Sequence, residues 1–221
     1  MTHRTLDIAV IGAGPTGLTA ALLLARDGHR AVICEAEDPQ EAGTRPGVSQ
    51  FRLPHVVLPR WHHEMAVALP DLIPALRAAG ASPFNLLHCQ GDRVTGGRQP
   101  GDEQFDTVAI SRVLLEQVLG GLAADQPGLE LCRATSVTGL LPATDATGVR
   151  GLRTEHGTLP AVVVDAGGRR SPVPGSLQRL FGMPVTERRS ATRLTFYGRH
   201  FESTGAAPPR PRPILTHYPS G

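Results

Sequence analysis

The sequence predicts an α/β fold built on a parallel sheet, and three features of its first 35 residues point there. A short apolar run, Leu6 to Ile11 (LDIAVI), ends at a glycine cluster, the pattern of a buried parallel strand. Pro15 to Arg26 is apolar nearly all round, with Gly28 placed to end a helix. Ala31 to Glu35 (AVICE) is a second short apolar run. Strand, tight turn, helix and strand in that order make a βαβ unit, whose crossover is right-handed.

The elements that follow are read the same way. Residues 39–59 have no period and carry Gly43, Pro46, Gly47, Pro54 and Pro59, so a long irregular loop is expected, of the kind that tends to be functional. Arg60 to Leu69 and Asp71 to Ala79 read as helices divided by Pro70 and ended by Gly80. Leu86 to Cys89 and Phe105 to Ile110 read as strands around a polar, glycine-rich turn. Ser111 is a good N-cap for a helix over Arg112 to Ala124, whose leucines at 115, 119 and 122 share a face. Further strands are expected at Leu129 to Cys132, Val137 to Leu141, Val149 to Glu155 and Leu159 to Asp165.

Composition narrows the function classes. The 221 residues are 40% hydrophobic and 19% charged, ordinary for a globular chain, so disorder is not expected. The 25 glycines and 20 prolines predict many turns. A net charge of +2 with scattered arginines gives no basic stripe for nucleic acid. Leu18 to Ala25 is far short of the roughly 20 residues a membrane span needs, and the N-terminus is broken by glycines where a signal peptide would be continuous. Cys34, Cys89 and Cys132 are far apart and odd in number, without metal-ligand spacing or a disulfide framework, which fits a reducing, cytoplasmic setting.

The central motif is Gly12-Ala13-Gly14-Pro15-Thr16-Gly17. Such a triplet lets the chain turn tightly, brings backbone close to a pyrophosphate and seats the helix on the sheet. The helix N-terminus then offers N–H groups and partial positive charge to the phosphates. Alone the pattern is weak, since glycine loops recur for steric reasons. Here it follows a strand, opens a helix and is followed 18 positions after Gly17 by Glu35, near the spacing of about 20 for the acid that binds a ribose. A solvated strand-end carboxylate is the alternative for Glu35 taken alone.

GAGPTGLTAALLLARDGHRAVICEAE, the later SRVLLEQVL and then VVVDAGGRRSPV resemble, in that order, the glutathione-reductase-type FAD fold of flavin monooxygenases, the group containing p-hydroxybenzoate hydroxylase and squalene epoxidase. The resemblance runs from about Leu6 to Phe201 and favours FAD over NAD. It implies that Arg45 contacts the flavin side of the cofactor, a solvated loop arginine being the alternative. It implies that Arg112 meets the pyrophosphate, and a guanidinium suits that anion. A cation at a helix start is otherwise slightly disfavoured by the dipole. Asp165 and Gly167, in the stretch Asp165 to Ser171, match a second fingerprint lining the cofactor cleft, against the plain reading of an Asp-Gly turn. Val137 matches a position whose backbone meets the adenine.

The stretch Arg45 to Gln50 with Leu53-Pro54-His55 is similar to a loop of epoxidase-type flavin enzymes that approaches the isoalloxazine; His55 is a candidate for the substrate side, though such histidines more often pack or face solvent. His62 and His63 point in different directions on a helix and make a poor metal pair, so no metal is expected.

The resemblance implies an FAD-dependent oxidoreductase, a monooxygenase that takes electrons from NAD(P)H and hydroxylates or epoxidises a small organic or isoprenoid-like substrate. The cofactor carries that chemistry, so no catalytic side chain is named. Residues 1–185 are expected to form the FAD-binding domain and 186–221 the start of a substrate-binding domain, with Thr192 to Phe201 its first strand. The family's later Gly-Asp motif is not found, since Gly91-Asp92 and Gly101-Asp102 come too early, so a C-terminal truncation is expected. Two rivals share every motif: a reductase or dehydrogenase of the same fold, and an inactive FAD- or NAD(P)-binding fragment. The run Pro208 to Pro213 reads as a loop between strands rather than a polyproline ligand.

Overall fold

β1 (Ile8–Ile11) is buried along its whole length, because both of its edges are paired and both of its faces are covered. The computed structural model describes residues 6–38, 48, 51, 54–87, 90–145, 147–188 and 190. Contacts divide the chain into two units, residues 1–51 with 115–194 and residues 52–114 with 195–221.

In the first unit β1 leads through the glycine turn into α1 (Pro15–Arg26) and then β2 (Ala31–Cys34). Pro15 occupies the first turn, where its missing N–H is no loss, and α1 ends where Gly28 takes φ +92°. β1, β2, β6 (Leu129–Cys132) and β10 (Val162–Asp165) form a parallel sheet in the order β10-β1-β2-β6. Its strands alternate: Ala9, Ile11 and Val32 face a core with Leu140 and Leu152, while Val10 and Ile33 lie on the opposite side, the side of α1. Burying Leu18 and Leu22 of α1 contributes roughly 1.5–3 kcal/mol each.

Leu140 and Leu152 come from an antiparallel sheet of β7 (Val137–Pro142), β8 (Val149–Thr154) and β9 (Gly157–Pro160), which packs on the parallel one. The single strand expected over 159–165 is therefore two strands in two sheets. Pro160 lies opposite Gly151, and the chain switches sheets over one residue: Ala161 N–H donates to the Arg150 carbonyl at 2.9 Å, and Val162 N–H to that of Asp7 at 2.9 Å. A helix the sequence reading did not name, Val173–Phe181, packs on β7 and stops at Gly182.

The second unit has the antiparallel order β3-β5-β4, from β3 (Pro54–Val56), β4 (Ser82–Asn85) and β5 (Asp106–Ser111). α2 (Pro59–Ala68) packs on β5 and on α3 (Leu72–Ala78). β3 lies inside the stretch expected to be loop. A strand is found earlier than the one expected at 86–89, of which 88 and 89 lie outside the described residues: Pro83 is tolerated in the edge strand β4, and Asn85 ends it. Asn85 is buried; its Oδ1 accepts the Leu87 N–H at 2.9 Å and its Nδ2 donates to the Asp102 carbonyl at 2.8 Å, so Leu86 and Leu87 lie in a turn. Gly91-Asp92 opens α4 (Asp92–Thr95), and Gly101 takes φ +95° before a 3-10 turn. Ser111 caps α5 (Arg112–Asp125): its Oγ accepts the Leu114 N–H at 3.2 Å. The remaining helix, Val173–Phe181, is α6.

Candidate functional site, a dinucleotide cradle

The carboxyl ends of β1, β2 and β10 converge, and three backbone hydrogen bonds tie their loops together. Gly12 N–H donates to the Cys34 carbonyl at 2.8 Å, Ala166 N–H to Ile11 at 2.9 Å, and Thr135 N–H to Glu35 at 2.8 Å. Ligands of open α/β sheets bind at such strand ends.

The three glycines of the motif differ in why they are needed. Gly12 takes φ +92°, where side chains are strained, and a Cβ there would lie 2.8 Å from the Ala166 carbonyl oxygen. A Cβ on Gly17 would overlap the Gly12 carbonyl oxygen. Fold alone therefore demands glycine at 12 and 17. Gly14 caps α1 at φ −73° and ψ 172°, a conformation any residue adopts. Its backbone conformation alone therefore does not demand glycine. Ala13 is buried, Pro15 half-buried and Thr16 exposed at the helix mouth. The N–H groups of the first helical turn have no carbonyl within the helix, and the helix dipole adds positive potential there.

Glu35 is 6% exposed, so it is not a solvated strand-end acid. Its Oε2 accepts the Ala13 N–H at 2.7 Å and its Oε1 the Glu37 N–H at 3.0 Å. The acid and the glycine loop, 22 positions apart, are thus one structure. Val137 opens β7 two residues beyond Thr135, whose N–H holds the Glu35 carbonyl.

Asp165 ends β10 opposite Ile11, and both of its oxygens shape a turn: Oδ1 accepts the Gly167 N–H at 3.0 Å, and Oδ2 the Ser171 hydroxyl at 2.7 Å. A Cβ on Gly167 would sit 3.2 Å from Asp165 Oδ1 and 3.3 Å from the Ile11 side chain, so glycine lets this turn close on β1. These contacts make residues 165–171 an Asp-Gly turn set against the end of β1. Gly12, Ala13, Gly14, Gly17, Glu35, Val137, Asp165 and Gly167 are brought together. Arg112 is the first residue of α5, in the second unit, and Arg45 lies outside the described residues.

Sequence reading missed Ala134, the only described non-glycine residue with positive φ (+48°), between β6 and β7 beside Thr135. Left-handed alanine is strained, and such strain gathers near binding sites. It also missed that His62 and His63 differ in burial. His62 is 8% exposed with neither ring nitrogen hydrogen-bonded, its ring 5.6 Å from that of the exposed His63. An open groove of about 300 Å³ runs beside β10, lined by Leu140, Val149, Val162, Val163, Val173 and Leu177, and touches the site only through Asp165. Among the described residues no cluster of three His, Cys, Asp or Glu is placed to hold a metal, and no helix is long and apolar enough to cross a membrane.

Comparison with known proteins agrees with this geometry. Residues 7–73 match the family model described as FAD dependent oxidoreductase. The chain is 45% identical over 84 residues to the thiamine thiazole synthase of Pyrobaculum neutrophilum, covering 38% of this chain and 30% of that protein. It is 45% identical over 51 residues to the NAD-dependent dihydropyrimidine dehydrogenase subunit PreT of Escherichia coli, 23% of this chain and 12% of that one. Among solved structures, PqsL of Pseudomonas aeruginosa, a probable FAD-dependent monooxygenase, superposes with TM-score 0.61 at 18% identity over 85% of this chain and 48% of its own. The chain thus spans less than a third of these curated relatives and about half of that structure. Residues 7–73 are thus similar to FAD-dependent oxidoreductases, and they lie in a Rossmann-like α/β fold with parallel and antiparallel sheets.

Proposed function

We propose that this chain is the FAD-binding part of a flavin monooxygenase of the glutathione-reductase-type fold. It takes electrons from NAD(P)H and hydroxylates or epoxidises a small organic substrate in a cytoplasmic setting. The observation that carries the reading is the junction of Gly12 to Gly17 with Glu35 on one side and Asp165 to Gly167 on the other. In this reading residues 1–185 are the FAD-binding domain and 186–221 begin the substrate-binding one.

The donor set fits FAD. Gly14 and the first turn of α1 meet the pyrophosphate, with Ala13, Pro15 and Thr16 shaping the mouth. Glu35 accepts ribose hydroxyl hydrogens, the Val137 backbone borders the adenine, and Asp165 with Gly167 walls the cleft. Arg112 is assigned to the pyrophosphate and Arg45 to the flavin side. Bound FAD supplies hydride acceptance and oxygen activation. The chain's own residues bind it, orient it and exclude water, and the chemistry requires no side-chain nucleophile or general base of them.

Flavin fluorescence titration of the purified chain tests binding, and a protein that stays colourless after refolding with FAD overturns the reading. A reductase or dehydrogenase of the same fold would use the same groups. Isotopically labelled dioxygen separates them: label enters the product of a monooxygenase only.

A further inference from the structure

Cys34 closes β2, Cys132 closes β6, and the parallel register sets them opposite one another. In-register residues of neighbouring strands project to the same face, with strands about 4.7–4.9 Å apart. A disulfide spans Cα separations of roughly 4.4–6.8 Å. Both thiols are free; Cys34 is buried and Cys132 half-buried against the core of Ala9, Val32 and Leu140. The Cys132 thiol donates to Glu130 Oε1 at 3.5 Å. Each cysteine also holds part of the nucleotide cradle. The Cys34 carbonyl accepts the Gly12 N–H at 2.8 Å, and the Cys132 carbonyl accepts the Glu35 N–H at 2.9 Å.

We propose that Cys34 and Cys132 are a dithiol modification site, oxidised by hydrogen peroxide to a disulfide that weakens the hold of the glycine loop and Glu35 on the nucleotide. Cys132, the more exposed, attacks peroxide: an S–O bond forms, the O–O bond breaks, and water leaves a sulfenic acid. The Cys34 sulfur then attacks that of Cys132; the S–S bond forms, the S–O bond breaks, and the hydroxyl leaves with the Cys34 proton as a second water. Two thiols are oxidised by two electrons in all, and one peroxide is reduced to two waters.

Burial and the facing Glu130 carboxylate push the Cys132 thiol up to about 11, and burial raises Cys34 as well. The thiolate is the nucleophile, so oxidation is slow at neutral pH and quickens as pH rises toward that value.

The effect on the nucleotide rests on the FAD reading; the disulfide does not. The test uses the full chain carrying Cys89→Ala, treated with hydrogen peroxide, capped at its remaining thiols and mapped by mass spectrometry without reductant. The expected result is one cross-linked pair of peptides, containing Cys34 and Cys132, lighter by two hydrogens and separated by dithiothreitol. FAD affinity is expected to fall about tenfold on oxidation and to recover on reduction. The same chain carrying Cys132→Ala should keep its affinity in peroxide. Conversion of Cys132 to a sulfinic acid while Cys34 stays a thiol overturns the site, and a cross-link that leaves FAD affinity unchanged overturns the effect on the cradle. A reduced protein that binds no FAD refutes the FAD reading instead, and the peptide map still decides the disulfide.

Discussion

The Glu35 carboxylate accepts the Ala13 N–H at 2.7 Å, joining the end of β2 to the middle of the glycine loop before any ligand arrives. A ribose bound there would meet an acid whose rotamer is already set. Glu35→Ala is therefore expected to weaken FAD binding by roughly 1.5–3 kcal/mol, about ten- to a hundredfold in Kd. Glu35→Gln keeps an acceptor for Ala13 and should lose less. Fluorescence titration of both variants checks this, and unchanged affinity in the alanine variant removes Glu35 from the site.

The glycines should separate folding from binding. Gly17→Ala forces a Cβ onto the Gly12 carbonyl and should yield little folded protein. The φ of −73° at Gly14 is one any residue adopts, so Gly14→Val is expected to fold, with a normal far-ultraviolet circular dichroism spectrum, yet lose FAD affinity at least tenfold. Normal flavin content in a folded Gly14→Val protein would contradict the assignment of the pyrophosphate.

Ala134 offers a stability test. Glycine adopts its φ of +48° without strain, so Ala134→Gly should raise unfolding free energy by up to about 1 kcal/mol, the relief of strain exceeding the added freedom of the unfolded chain. Urea denaturation reads the change. Ala134→Val should move the midpoint the other way.

His62 predicts a pH dependence for the second unit. Its pKa is lowered, first by burial and then by His63 and Arg77, with Asp106 opposing. The folded state therefore binds this proton more weakly than the unfolded chain. Stability is retained above the unfolded value of 6.5 and falls as pH drops below it, down to the depressed folded pKa. The slope is at most about 1.4 kcal/mol per pH unit for one proton. Urea midpoints at pH 7.5 and 5, in the parent and in His62→Leu, should show the larger acid loss in the parent; equal losses would clear His62.

The β1-α1-β2 unit was legible from local sequence alone. Its strands are continuous apolar runs, its helix carries proline at the start and glycine past the end, and two of its three motif glycines are demanded by backbone geometry. These signals lie within 30 residues of one another, so no distant contact was needed to read them. The strand at Leu129 to Cys132 and the Ser111 cap were legible for the same local reason. Tertiary structure decided what depends on partners far along the chain. Pro83 could sit in a strand only because that strand is an edge, and residues 157–165 became two strands because Asp7 and Arg150 claimed adjacent N–H groups. Likewise, cysteines nearly a hundred residues apart in sequence became neighbours because β6 pairs with β2 and not with a strand nearer in the chain, a choice set by which apolar faces can be buried together.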